Sequence, residues 1–120
     1  MQDISLGVIE ARFADIIWND APLPSSKLVT LAQDALGWKK STTYTVLKRL
    51  CEKGIFENNS GTVTVKLTRD DFYTLQSQRF VEDNFHGSLP AFLAAFTSGK
   101  RLTLQEVDQL RQLVQAHEEE

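Results

Sequence analysis

The chain has a single cysteine, Cys51, among its 120 residues. An internal disulfide is therefore impossible, which fits a reducing compartment. No run of 18 apolar residues occurs, so no membrane-spanning helix is expected. The opening stretch MQDISLGVIEARF has no early basic cluster and carries Asp3 and Glu10. It does not read as a secretion leader, and a cytoplasmic location is the expectation. His86, His117 and Cys51 are too far apart in sequence to show metal-ligand spacing. Neither a glycine-rich phosphate loop nor a Ser-His-Asp order is present. Asp70-Asp71 suits the start of a helix, where carboxylates complement the macrodipole, and does not require catalysis. No enzyme activity, cofactor or metal is expected. A surplus of positive charge is also missing: the formal net charge is -3 and the sequence pI about 5.4. Taken as a total, that argues against a nucleic-acid binder.

What is present is ordinary for a globular protein. Hydrophobic residues are 42% and charged residues 24%, which excludes a wholly disordered or fibrous chain. The length fits one compact domain, or a small domain with an appendage. The charge is unevenly spread. Residues 1–26 sum to -3. Residues 27–53 hold Lys27, Lys39, Lys40, Lys48, Arg49 and Lys53 against Asp34 and Glu52, a net +4. Residues 54–101 balance, and residues 102–120 sum to -4. A basic stretch thus lies between acidic ends, and the question becomes what that stretch is made of.

Leu6, Ile9, Phe13, Ile16 and Ile17 recur at steps of three and four, which predicts a helix over residues 5–19, ended by Pro22. Pro24-Ser25-Ser26 opens a second helix, with a serine placed to cap it and Leu28, Leu31, Ala32, Ala35 and Leu36 as its buried stripe. Gly37 suits its left-handed end. A third helix begins at Lys40 or Ser41, turns Val46, Leu47, Leu50 and Cys51 inward, and ends at Gly54. Ile55-Phe56 and the alternating Val63, Val65 and Leu67 predict a hairpin with a turn at Asn58-Asn59-Ser60-Gly61. Thr68 is a cap candidate for a fourth helix containing Phe72, Leu75, Phe80, Val81 and Phe85. A short apolar helix follows from Leu89 to Phe96. Thr103-x-x-Glu106 is a capping box opening the last helix, and residues Glu118–Glu120 are expected to fray. Trp18 and Trp38 are expected to pack where the first helices meet. The order of elements over about residues 4–68 is that of a winged helix-turn-helix.

The third helix carries Ser41, Thr42, Tyr44, Thr45, Lys48 and Arg49 outward by helical phase. Short hydroxyls at a helix start bond base edges or phosphates, the N-terminal amides favour a phosphate, and Lys and Arg add charge for the backbone. Threonine has poor helix propensity, so a surface chosen for stability alone would use Glu, Gln or Ala instead.

The run Gly37-Trp38-Lys39-Lys40-Ser41-Thr42-Thr43-Tyr44-Thr45-Val46-Leu47-Lys48-Arg49-Leu50-Cys51-Glu52-Lys53-Gly54 resembles the recognition region of the penicillinase-repressor family, BlaI/MecI/CopY. Ile16-Ile17-Trp18 is similar to the end of that family's first helix, with Glu10 at its usual acid position. The segment from Ser88 through Arg111 resembles its C-terminal part. The resemblance implies a mainly α protein with a small β-hairpin: a winged-helix DNA-binding domain over 1–69 and a helical dimerisation domain over 70–120. It implies a repressor that binds an inverted-repeat DNA operator as a homodimer.

Lys39, Lys40, Ser41, Thr42, Tyr44, Thr45, Lys48 and Arg49 are then the expected DNA-binding residues, with Asn58, Asn59 and Lys66 on the wing. Phe85, Phe92, Phe96 and Val107 are expected at the dimer contact. Leu110, Leu113 and Val114 read as a dimer seam or an intradomain face, and the seam is favoured because a helical segment without its own core gains most from a second copy.

Three departures from the family pattern stand out. The wing tip Glu57-Asn58-Asn59-Ser60-Gly61 has no Lys or Arg. The bond matching the Asn-Phe cleavage site of the β-lactamase repressors is Ala95-Phe96, which lacks that asparagine. The cysteine cluster of the copper-responsive branch has no counterpart, so copper sensing through it is not expected. The uncharged wing and acidic total leave a second reading, a winged-helix module that binds protein and not DNA.

Overall fold

The computed structural model describes residues 5–118. Three helices, α1 (Val8–Asp20), α2 (Ser25–Leu36) and α3 (Lys40–Glu52), precede the hairpin β2 (Phe56–Asn59) and β3 (Thr62–Val65). A short strand β1 (Leu23–Pro24) lies between α1 and α2, and α4 (Arg69–Phe85), α5 (Leu89–Ser98) and α6 (Leu104–Ala116) complete the chain. The sheet is antiparallel with order β1-β3-β2. This is the expected class, mainly α with a small sheet: a winged helix followed by C-terminal helices. The chain forms two compact units that divide between Gln78 and Arg79, inside α4. The sequence-based boundary at 69/70 falls at the first turn of that helix.

The first unit is built around one apolar core. Phe13, Ala14 and Ile17 of α1 meet Leu28 and Ala32 of α2 and Val46, Leu47 and Leu50 of α3. Leu23, Ile55, Phe56 and Val63 close it from the sheet side, and Phe72 of α4 joins it. Removing this much apolar surface from water is the main force holding α3 in place. Gly37 ends α2 at φ 69°, its N–H donating to the Gln33 carbonyl at 2.9 Å, as a left-handed helix stop requires.

The structure departs from the sequence pattern at several points. Helix α1 begins at Val8, not at residue 5, and the Glu10 carboxylate accepts from the Gly7 N–H at 3.3 Å. Ile9 is half exposed, because the buried face is that of Phe13, Ala14 and Ile17. Strand β1 was not expected. It is two residues long and includes a proline, which a sheet tolerates at its edge, and it pairs Leu23 with Val63. The turn is only Ser60-Gly61, at φ 52° and 94°, the two positive values that a tight hairpin turn matching strand twist demands. Asn58 and Asn59 therefore belong to β2. Val65 is partly exposed and is not a core residue. Ser25 does not cap α2; Pro24 stands at the cap position.

Trp38 packs on Phe13 with ring centroids 4.9 Å apart, as expected of a residue where the first helices meet. Trp18 goes elsewhere. Its ring lies 5.4 Å from both Phe56 and Phe72, and its Nε1–H donates to the Leu67 carbonyl at 3.0 Å. Arg69 stacks over the same ring at 5.6 Å and bonds Asp15 at 3.1 Å and Asn19 at 2.8 Å. The chain leaving the wing is thereby tied to α1.

The second unit depends more on local signals. Ser88 Oγ caps α5 by accepting from the Ala91 N–H at 3.1 Å. The Thr103 hydroxyl accepts from the Glu106 N–H at 3.0 Å, and the Glu106 carboxylate accepts from the Thr103 N–H at 2.9 Å, which is the predicted capping box. The Thr103 backbone N–H, then its hydroxyl, hold the Glu106 carboxyl below the usual carboxylate value. Phe80, Phe85, Phe92 and Phe96 form an aromatic chain, with Phe85 and Phe92 edge-on at 5.4 Å. Among the described residues of this unit none is fully buried. Of the C-terminal tail, Glu119 and Glu120 lie outside the described residues.

Candidate nucleic-acid interface

Helix α3 buries Thr43, Val46, Leu47 and Leu50, and this fixes what its other side presents. Ser41, Thr42, Thr45, Lys48 and Arg49 are exposed, and Lys39 and Lys40 stand exposed at its start. The Thr43 hydroxyl donates to the Lys39 carbonyl at 3.1 Å and the Thr45 hydroxyl to the Ser41 carbonyl at 2.9 Å. Both threonines thus satisfy their protons on the helix itself, and Thr45 keeps an outward oxygen. No side chain among the described residues caps α3, so its first-turn amides point outward without a side-chain acceptor.

A cleft of about 520 Å³ runs between α3 and the wing, with Tyr44, Lys48 and Cys51 on one wall and Phe56, Asn58 and Lys66 on the other. Lys48 and Lys66 therefore share one opening although 18 residues separate them in sequence. Lys39, Lys40, Lys48 and Lys66 make no ion pair among the described residues. Burial pushes the Cys51 thiol above its ordinary value, which suits a small packing residue and not a reactive thiolate.

Besides Thr45, three predicted contact residues already have intramolecular partners. Arg49 pairs with Glu10 of α1 at 3.2 Å. Burial pushes the Glu10 carboxyl up, but the Gly7 N–H, Arg49 and Lys53 outweigh it and hold the carboxyl below its ordinary value. Tyr44 is half-buried, and its hydroxyl lies 3.0 Å from that of Ser25. Asn58 Oδ1 accepts from the Gly61 N–H at 3.0 Å and braces the turn. Asn59 is exposed at the end of β2. Ser25 reaches this face although it is not among the expected contact residues. Its only sequence signal, a hydroxyl at a helix start, suggests a cap and says nothing of a tyrosine 19 residues away.

The residues expected at a dimer contact lie in the second unit. Phe85, Phe92, Val107 and Leu110 are half-buried, and Phe96, Leu113 and Val114 are exposed. Phe92, Phe96, Leu110 and Leu113 line a second cleft, of about 300 Å³, with Leu93 and Leu102.

A sequence model of the penicillinase repressors matches residues 6–116. The chain belongs to the penicillinase-repressor family. Members of that family are transcription regulators and not enzymes. A penicillinase repressor of Bacillus licheniformis is 22% identical over 112 residues, covering 90% of this chain and 88% of that protein. The family match spans the winged helix and the C-terminal helices alike, so the resemblance seen in the α3 sequence extends to the architecture around it. No helix among the described residues is long and apolar enough to cross a membrane.

Proposed function

We propose that this penicillinase-repressor family protein binds an inverted-repeat DNA operator as a homodimer and represses transcription there. The observation that carries the reading is the outer side of α3. Exposed Ser41, Thr42 and Thr45 occupy one element with Lys39, Lys40 and Lys48, which among the described residues make no ion pair, and its start has no side-chain cap among them; Lys66 lies across the cleft. Hydroxyls at the start of such a helix reach base edges in the major groove, while the lysines and free amides take phosphates. Tyr44 adds a phenol edge at the cleft, Asn59 adds a polar wing contact, and Arg49 and Asn58 act chiefly by holding shape. Residues 1–69 supply the DNA-binding part and residues 70–120 the dimerisation part. The unburied apolar side chains Phe96, Leu113 and Val114 support a second copy as the partner of the latter.

Fluorescence anisotropy with duplex DNA from upstream of the protein's own gene tests this. Binding at low salt that weakens steeply as salt rises is the expected result. A folded dimer that binds no duplex at low salt overturns it, and favours the protein-binding reading that the uncharged wing tip suggests.

A further inference from the structure

We infer that Ser25 is a positioning residue for DNA recognition: it sets the Tyr44 side chain against the wing. This rests on the operator-binding reading above and assigns a role that the α3 sequence does not reveal.

Ser25 is the first residue of α2 and is buried at 9% exposure. Two of its polar groups reach different elements. The hydroxyl lies 3.0 Å from the Tyr44 hydroxyl in α3, and the backbone N–H donates to the Gly61 carbonyl in the wing turn at 2.7 Å. A Cβ placed on Gly61 would lie 3.9 Å from Ser25 Oγ, so the turn sits within van der Waals reach of the hydroxyl pair. One residue thus joins the start of α2, the second turn of α3 and the tip of the wing.

The chemistry explains why a serine serves here. The first amides of a helix have no acceptor within it. Pro24 offers no capping side chain, and the wing carbonyl satisfies the Ser25 amide instead. The Ser25 hydroxyl makes no cap bond and meets the phenol. Two hydroxyls carry two protons, and their mutual bond uses one. If Ser25 donates, the Tyr44 proton is left for a base acceptor. If Tyr44 donates, its oxygen still accepts from a base amino group. The pair therefore fixes the ring without consuming its capacity to bond outward. A tyrosine on an open helix face would have to be ordered on binding, at an entropic cost that this pre-arrangement lowers.

A double-mutant cycle on the full-length protein tests the inference. The probe is a duplex selected by the wild-type protein from a random-sequence pool, and binding is read by anisotropy beside an unrelated duplex. Ser25→Ala and Tyr44→Phe should each weaken the selected duplex about three- to tenfold. The double variant should be no weaker than the worse single one, and binding to the unrelated duplex should not change. Ser25→Thr, which keeps the hydroxyl, should restore most of the affinity. Thermal melting confirms that each variant is folded. A serine that matters only for stability gives the same loss in the Tyr44→Phe background, so losses that multiply overturn the inference, as does an unaltered Ser25→Ala. Failure of the wild-type protein to select any duplex overturns the operator reading and this inference with it. Wild-type selection with independent losses overturns the role of Ser25 alone.

Discussion

Phenylalanine shows how differently the two units are built. In the first, Phe13, Phe56 and Phe72 are at most 1% exposed, whereas in the second Phe80 and Phe96 are 50% and 49% exposed. Phe72 and Phe80 even lie on the same helix, α4, so burial here is a property of what surrounds a side chain and not of its type. The first unit wraps α1, α2 and the sheet around one inner face of α3. The second has well-capped helices and an aromatic chain but encloses nothing. The lesson is a division of labour: a self-sufficient core gives α3 a fixed outer face, and a unit that leaves apolar rings open is suited to meet a second copy of itself.

Substituting matched rings gives the largest test of this contrast. Phe56→Ala should cost about 3–5 kcal/mol in urea denaturation, because the enclosed site cannot collapse around the missing ring. Phe96→Ala should cost about 1 kcal/mol or less in folding of the single chain. Equal losses would show that the two environments are alike. Next in size, Leu113→Asp should give a monomer in sedimentation while leaving the first unit folded. Affinity for an inverted-repeat duplex should fall about 100-fold with it, as a linked pair of half-site contacts becomes two independent ones. A monomer that binds as tightly as wild type would separate the second unit from recognition.

Glycines sharpen the comparison further. Gly61→Ala in the first unit forces a Cβ on a residue at φ 94° and should cost about 1–2 kcal/mol. Gly99→Ala in the second unit, at φ -105° with open space around it, should be neutral or stabilise by about 0.4–1 kcal/mol. Thermal melts of both variants decide it. The smallest effect is the pH response of Glu10. Its folded carboxyl sits below the ordinary value of 4.5, so its contribution is complete above that value and is lost as pH falls through the lowered one. With its partner Arg49 half exposed, the pair should contribute no more than about 0.5 kcal/mol. The melting difference between wild type and Glu10→Gln should therefore be present at pH 7 and shrink at pH 3.

The sequence made the element order readable because apolar spacing, Pro22, Gly37 and the Thr103–Glu106 box are local signals that the structure keeps. The inner and outer faces of α3 followed from the same periodicity. What escaped depends on contacts distant in sequence. Strand β1 is too short to show a period, and its identity comes from pairing with β3. The neighbours of Trp18 are not legible locally, because its acceptor is a carbonyl 49 residues away. Helical phase turns Tyr44 outward, but it locates a Cβ and not the end of a long ring that reaches Ser25. Arg49 reads as free charge in the sequence because nothing local reveals that Glu10 stands opposite it.

The tryptophans and tyrosines have a practical consequence. Trp18, Trp38, Tyr44 and Tyr73 make up the whole set of both residue types, and all fall before Gln78. The tryptophan and tyrosine absorption and fluorescence thus originate in the first unit alone. Opening of the C-terminal helices will be dark to fluorescence and visible to far-ultraviolet circular dichroism. On one unlabelled sample, fluorescence follows the first unit alone and circular dichroism follows the helices of both, so a dichroism change without a fluorescence change marks the second unit.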